Sequence, residues 1–397
     1  MKLKKIAMTV LSGALALTVL GGCGSGESSS EKTADTSSAA EIESKGADES
    51  VENVKDKFNV KLLGRTYYSD GTLWLGLSGT GMDFDFTGDK LTINMVGNPA
   101  GEDSQPRCAL YVDGERVDDQ MIKSEGSRFE VTGKGSEPVN VKVIKLSECA
   151  QSCMGIVSMD AGSGTITPAA DKKHRIEIIG DSITCGYGVD DEVKEHHFAT
   201  GTEDCTKSYS YKTAQLLDAD YSLVSFSGYG IISGYTNNGK KVENQLVPTY
   251  YEKLGYTFNM GFGTEKPENL DWDFSKFTPE VIVINLGTND ASYAKTKAKK
   301  QEYHDGYVAF LKQIRAKNPD AKIYCTLGIM DRNLNKTMIS AAEDYSKETG
   351  DTNIATFEFP MQNMAEDGIA ADWHPSDATH TKEAALLADF IKQDMGW

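Results

Sequence analysis

Near residue 170 the hydrophobic pattern of the chain changes from strict alternation to short apolar runs separated by 3.6-residue repeats, and no single sheet or helical bundle accommodates both. Before the change, Met82, Phe84 and Phe86 alternate with polar neighbours, as do Leu91, Ile93 and Met95, and then Val139, Val141 and Val143. Asp113-Gly114, set between Leu110-Tyr111-Val112 and Glu115-Arg116-Val117, reads as a two-residue hairpin turn. Short alternating strands with glycine-rich turns and no helical stretch predict an all-β sandwich of the jelly-roll kind over residues 58–170.

After the change, Arg175 to Ile179, Tyr221 to Phe226, Val281 to Asn285, Lys322 to Leu327 and Asn353 to Phe357 are short, β-prone apolar runs. Between them lie helical repeats. Tyr307, Phe310, Leu311 and Ile314 follow i, i+3, i+4, i+7 and stop at Asn318-Pro319, while Leu387, Phe390 and Ile391 mark a last helix. Alternating strands and helices predict a mainly parallel sheet covered on both faces, a three-layer α/β/α domain over residues 171–397.

The first 57 residues belong to neither pattern. Lys2, Lys4 and Lys5 precede an apolar run from Ile6 to Leu20, too short for a confident membrane span and typical of a processing signal. It ends in Leu20-Gly21-Gly22-Cys23, which resembles a bacterial lipobox and predicts a signal peptide over 1–23 with lipid on Cys23. The alternative is a plain secretory signal. Residues 24–57 carry nine acidic and four basic residues and no aromatic, so they read as an extended, disordered acidic linker. Both readings place the folded part outside the cytoplasm. Over the whole chain 41 basic residues face 59 acidic ones, a net charge of −18 that disfavours a nucleic-acid partner and leaves the lipid as the route to a membrane. Cys108, Cys149, Cys153, Cys185, Cys205 and Cys325 remain after the signal, and sequence alone does not choose their pairing. Cys149 and Cys153 lack the second pair or the histidine that a zinc site needs.

In open parallel sheets ligands bind beyond the carboxyl ends of the strands. Gly180-Asp181-Ser182-Ile183-Thr184-Cys185-Gly186-Tyr187-Gly188 follows the first such strand and Leu286-Gly287-Thr288-Asn289-Asp290 follows the third. Asp372-Trp373-His374-Pro375 precedes the last helix. Each fragment alone is ordinary turn chemistry, but together, in this order, the pattern resembles the SGNH, or GDSL-type, hydrolases. Within them it is similar to carbohydrate esterase family 2, whose members join an N-terminal jelly roll to an SGNH domain. The resemblance spans Phe58 to Trp397 and implies an esterase that removes O-acetyl groups from plant polysaccharides such as xylan or glucomannan, with no metal and no cofactor.

A serine hydroxyl needs a neighbouring base, and a neutral histidine supplies one near pH 7. Ser182 is the candidate nucleophile and His374 the candidate base. His174 precedes the first strand and His304 lies in a helix, which leaves His196, His197 and His380 as competitors. Asp372 precedes His374 by two, so in an extended segment both side chains point the same way and Asp372 is the candidate third triad member. This departs from the three-residue spacing usual in the superfamily, and a Ser-His dyad oriented by a backbone carbonyl stays open. The candidate oxyanion donors are the Ser182 N–H, the Asn289 side-chain amide and a glycine N–H from Ser227-Gly228-Tyr229-Gly230, where Gly230 matches the superfamily glycine better than Gly228. Tyr187, Tyr229 and Trp373 are candidate sugar-binding aromatics, although they would suit an acyl chain nearly as well. A lipase or thioesterase for longer acyl esters, or a surface lipoprotein that only binds polysaccharide, are the competing readings.

Overall fold

The computed structural model describes residues 57–258 and 261–397; the expected signal peptide, Cys23 and the acidic segment up to residue 56 lie outside them. The N-terminal strands are β1 (Lys61–Leu63), β2 (Thr66–Ser69), β3 (Thr72–Leu75), β4 (Gly81–Gly97), β5 (Arg107–Val112), β6 (Glu115–Met121), β7 (Ser127–Lys145), β8 (Met154–Asp160) and β9 (Thr165–Pro168). They hydrogen-bond in the order β2-β3-β8-β4-β7-β5-β6, with β1 and β9 also on β4. All nine strands form one continuous sheet that wraps around its core, and the long strands β4 and β7 run through its middle. The Gly81–Phe86 half of β4 pairs with Val139–Ile144 of β7, whereas its Lys90–Met95 half pairs with Ser127–Thr132, and the register shifts around Gly88 between them. The alternating residues of both halves, Met82, Phe84, Phe86, Leu91, Ile93 and Met95, meet Phe129, Val131, Val139, Val141 and Val143 in one apolar core. Asp113 and Gly114, both at positive φ, close the β5–β6 hairpin where Val112 pairs with Glu115.

The C-terminal sheet contains β10 (His174–Gly180), β11 (Ala219–Ser225), β12 (Val281–Asn285), β13 (Lys322–Ile329) and β14 (Ile354–Met361) in the order β11-β10-β12-β13-β14. Every neighbouring pair is parallel. The helices are α1 (Ser182–Cys185), α2 (Tyr209–Leu216), α3 (Val247–Tyr250), α4 (Thr288–Tyr293), α5 (Lys297–Lys317), α6 (Asn335–Thr349), α7 (Met364–Asp367) and α8 (Asp377–Met395). On one face Tyr303, Tyr307, Phe310, Leu311 and Ile314 of α5, with Met338, Ala341 and Tyr345 of α6, pack on Ile179, Val224, Ile282, Ile284 and Ile323. On the other, Tyr209 and Ala214 of α2 and Ala384, Leu387 and Ile391 of α8 pack on Ile176, Ile178, Val281 and Val283. Burial on both sides explains why the inner strands read as continuous apolar runs. Among the described residues no helix is long and apolar enough to cross a membrane.

The two halves share their cores. Leu63, Ala109, Ile144 and Leu146 join the α2–α8 cluster, and Tyr67, Leu77, Cys149, Ala150 and Cys153 join the α5–α6 cluster. Arg65, buried, reaches across to Glu177 of β10 at 3.0 Å. Glu177 also accepts from Tyr251 Oη and Ser222 Oγ, so its remaining lone pairs are satisfied as a buried ion pair requires.

Candidate active site

Gly180 pairs with both Ser225 and Asn285, so β10, β11 and β12 end at the same level and release their following loops side by side. Ser182 opens α1, and Asp181 caps that turn by accepting the Ile183 N–H at 3.1 Å. The Ser182 Oγ lies 2.8 Å from His374 Nε2, a residue brought from the other end of the domain by the turn before α8. His374 Nδ1 is 3.1 Å from the Ala371 carbonyl. A carbonyl only accepts, so Nδ1 carries the hydrogen and Nε2 is left to accept from the Ser182 hydroxyl. His374 is half-buried with Tyr187 stacked on its ring, and this loss of solvent pushes its pKa down to about 4. The imidazole is therefore neutral at neutral pH.

The Asp372 carboxylate is not hydrogen-bonded to that imidazole and reaches it only as a nearby charge. Its two carboxylate oxygens accept from Tyr187 Oη at 2.6 Å and face His197 Nδ1 at 2.9 Å. The expectation of a triad carboxylate assumed an extended segment, whereas Asp372 and Trp373 both have positive φ, 48° and 60°. Two consecutive left-handed residues rotate the side chain away from His374 and aim the Ala371 carbonyl at it instead, leaving the Ser-His arrangement with a backbone orienter. Burial pushes the Asp372 carboxyl up, but the bonds from Tyr187 and His197 outweigh it and hold the group below its ordinary range.

The other histidines stand elsewhere. His380 accepts the Tyr209 N–H in the core, His196 and His197 face Asp191 and Asp372, His304 lies between Asp305 and Asp344, and His174 stacks on Trp397.

Asn289, on α4 and buried, donates through Nδ2 to the Tyr229 carbonyl at 2.8 Å and to Asp181 Oδ2 at 3.2 Å. Burial pushes Asp181 up to about 7 and its neighbour Asp290 to about 6. Asp290 accepts the N–H groups of Ile231, Ile232 and Ser233 and so ties down the turn after β11. Gly230 corrects the expectation for that turn: its N–H is already engaged by the Gln245 carbonyl at 3.1 Å, and a Cβ there would stand 2.2 Å from the Ser233 carbonyl oxygen. It is a glycine required by close packing. Gly228, at φ 82°, faces open space, and among the described residues its N–H has no hydrogen-bond partner.

Two of the three aromatics are also committed within the protein. Tyr229 is fully buried among Phe226, Tyr250 and Tyr256, and Tyr187 is held between His374, Phe198 and Asp372. Trp373, 48% exposed, is the one that stands open beside His374. The Ala371 carbonyl was not singled out from sequence, since no residue type announces a backbone acceptor.

Residues 178–382 match the family model described as GDSL-like Lipase/Acylhydrolase family, and residues 62–170 match the model described as Carbohydrate esterase 2 N-terminal. A protein of Acetivibrio thermocellus, cellulase/esterase CelE, is 30% identical over 326 residues, which are 81% of this chain and 37% of that protein. The chain thus spans little more than a third of that relative's length. An acetylxylan esterase / glucomannan deacetylase of Cellvibrio japonicus is 25% identical over 347 residues, 85% of this chain and 90% of the relative. A solved family two carbohydrate esterase from Clostridium thermocellum, in complex with cellohexaose, aligns with a TM-score of 0.74 at 28% identity and covers 85% of this chain and 99% of its own. With each half matched by its own model around a serine–histidine pair, the chain belongs to the GDSL-like lipase/acylhydrolase family and, within it, to the family 2 carbohydrate esterases, which makes it an ester hydrolase.

Proposed function

We propose that this enzyme removes O-acetyl groups from plant hemicellulose, xylan or glucomannan, or from oligosaccharides derived from them. The observation that carries the reading is the 2.8 Å contact between Ser182 Oγ and His374 Nε2. The names of the relatives and the cellohexaose held by the solved homologue support a carbohydrate as the alcohol half of the ester. Neutral His374 takes the Ser182 proton as Oγ attacks the acetyl carbonyl, while its Nδ1–H on the Ala371 carbonyl keeps the ring in the productive tautomer. The Ser182 N–H, the Gly228 N–H and Asn289 Nδ2 receive the oxyanion. His374 then returns the proton to the departing sugar oxygen, and water repeats the cycle on the acetyl-enzyme. Trp373, exposed beside the base, offers a flat apolar face to a sugar ring. Asp372 acts on the base through the Tyr187 ring that it holds and through its nearby charge, not through a hydrogen bond from its carboxylate.

An acetyl group demands a pocket for one methyl, and each further methylene must fit a closed wall, a discrimination of roughly 1 to 3 kcal/mol per step. 4-Nitrophenyl acetate is expected to be cleaved much faster than the butyrate, with octanoate nearly inert, and acetate to be released from acetylated xylan or glucomannan. An enzyme that preferred octanoate and left both polysaccharides untouched would be a lipase. No turnover of any of these esters would leave polysaccharide binding as the function.

Residues 1–23 fit a lipoprotein signal, 24–57 a tether, 58–170 the β-domain and 171–397 the catalytic domain. Under this division Cys23→Ser is expected to move the protein from membranes to the medium with its activity intact. Wild-type protein recovered in the medium without a fatty-acid label would restore the plain secretory signal.

A further inference from the structure

The β-domain reaches the catalytic edge through Glu148, which lies between β7 and β8. Its side chain is fully buried, and Oε2 accepts the N–H of Ser227, the residue directly before Gly228, at 2.9 Å. Its own N–H donates to Oε2 of Glu203 at 2.9 Å, and Glu203 is also fully buried. The second oxygen of each carboxyl, Glu148 Oε1 and Glu203 Oε1, has no hydrogen-bond partner. A carboxylate oxygen of each and the Cys185 Sγ all lie within 4.8 Å of one another.

The groups facing this pair come from several elements. Lys145 at the end of β7 is buried and donates to the Ser147 and Glu148 carbonyls. Cys185 of α1 donates to Ser225 Oγ, Asp204 beside Glu203 is paired with Arg116, and Cys205, Tyr187 and Tyr229 complete the surroundings. Two carboxylates this close and fully buried, with one lysine to offset them, do not both stay charged. Burial first, and their mutual repulsion second, raise Glu203 well above the ordinary range, and burial raises Glu148. The trio with Cys185 has the spacing of a cation site but not its chemistry. Burial keeps the thiol protonated, and a backbone amide already occupies one oxygen of each carboxyl.

We propose that Glu148 and Glu203 share one proton and act as a positioning pair, through which the β-domain holds the Ser227–Gly228 backbone in place for the oxyanion. The proposal rests on the acetyl-ester reading, specifically on Gly228 as a donor. A proton held by the pair removes the repulsion between the two carboxyls, and the pair then links the β-domain to the loops that follow β10 and β11. Loss of that proton sets two charges against each other directly beneath the donor loop. The pair acts on the transition state rather than on ground-state binding, because only the oxyanion draws fully on the Gly228 N–H.

The test compares Glu148→Ala, Glu148→Gln and Glu203→Gln in the full chain on 4-nitrophenyl acetate, with thermal melts and pH profiles. Glu148→Ala is expected to lower kcat about a hundredfold with KM within about threefold, the pattern of a displaced transition-state donor. Glu148→Gln restores kcat to within about threefold of wild type, because the amide oxygen still accepts the Ser227 N–H. Glu203→Gln removes the shared titration and moves the alkaline fall of kcat upward by about one pH unit or more. A folded Glu148→Ala with wild-type kcat overturns the proposal, as does a loss that Gln does not rescue, or a stoichiometric divalent metal in the purified protein. If Glu148→Ala does not fold, the alkaline limb decides, and an unchanged limb in Glu203→Gln overturns it. Ser182→Ala, assayed alongside, separates the two levels: activity that survives it sinks the esterase reading itself, whereas Ser182-dependent activity indifferent to Glu148 sinks only the positioning pair.

Discussion

Ser182→Ala and His374→Ala are each expected to cut turnover of 4-nitrophenyl acetate by several orders of magnitude, on the order of 10⁶, because a nucleophile and its base fail as a unit. Ser182 Oγ and His374 Nε2 are 2.8 Å apart, so each is the other's partner in the proton transfer. Asp372→Asn should stay well clear of the loss of about 10⁴ that removal of a triad carboxylate brings, since its oxygens serve Tyr187 and His197. Burial lowers the His374 pKa to about 4, so the base remains neutral far below the ordinary histidine range. The acid limb of kcat/KM therefore falls near pH 4, and activity is lost as pH drops through it. A limb near pH 6.5, or a loss in His380→Ala equal to that in His374→Ala, would contradict this assignment.

Asn289→Ala should lower kcat by roughly a hundredfold to a thousandfold with little change in KM, the effect of removing one preorganised oxyanion donor. Two partners, the Tyr229 carbonyl and Asp181, hold the amide before substrate arrives, and the longer bond, 3.2 Å to Asp181, is the one an oxyanion would share. The variant also leaves the buried Asp181 carboxyl without that donor, which favours its protonated form further. Steady-state kinetics separates the outcomes: a rise in KM at constant kcat would make Asn289 a substrate contact.

Periodicity carried most of the fold. The runs from Arg175, Tyr221, Val281, Lys322 and Asn353 all became strands of the parallel sheet because burial on both faces leaves the same apolar signature in each. What periodicity does not encode is that β4 and β7 each run as one long strand through the middle of a single sheet, since alternation looks the same on either side of the register shift at Gly88. In the site, residue types that perform chemistry were legible, and backbone conformation was not. The i, i+2 argument for Asp372 failed at two left-handed residues, and chain spacing favoured Gly230 without knowing that Gln245 already engages its N–H. Tyr229 was read as a cleft aromatic, yet it sits in the core, because a tyrosine beside a motif has the same letter whether it faces sugar or Phe226.

The shared cores bear on how such a chain can be rearranged. Domains joined by exposed linkers with few contacts across the boundary can be cut away without harm to their neighbours. Here Leu63, Ala109, Ile144 and Leu146 are part of the packing that covers Ile176 and Tyr221, and Arg65 neutralises Glu177 inside the sheet. Excising the first half would uncover apolar sheet and strand a charge in the interior. The β-domain is therefore not an exchangeable cassette, and its inheritance is bound to that of the catalytic half.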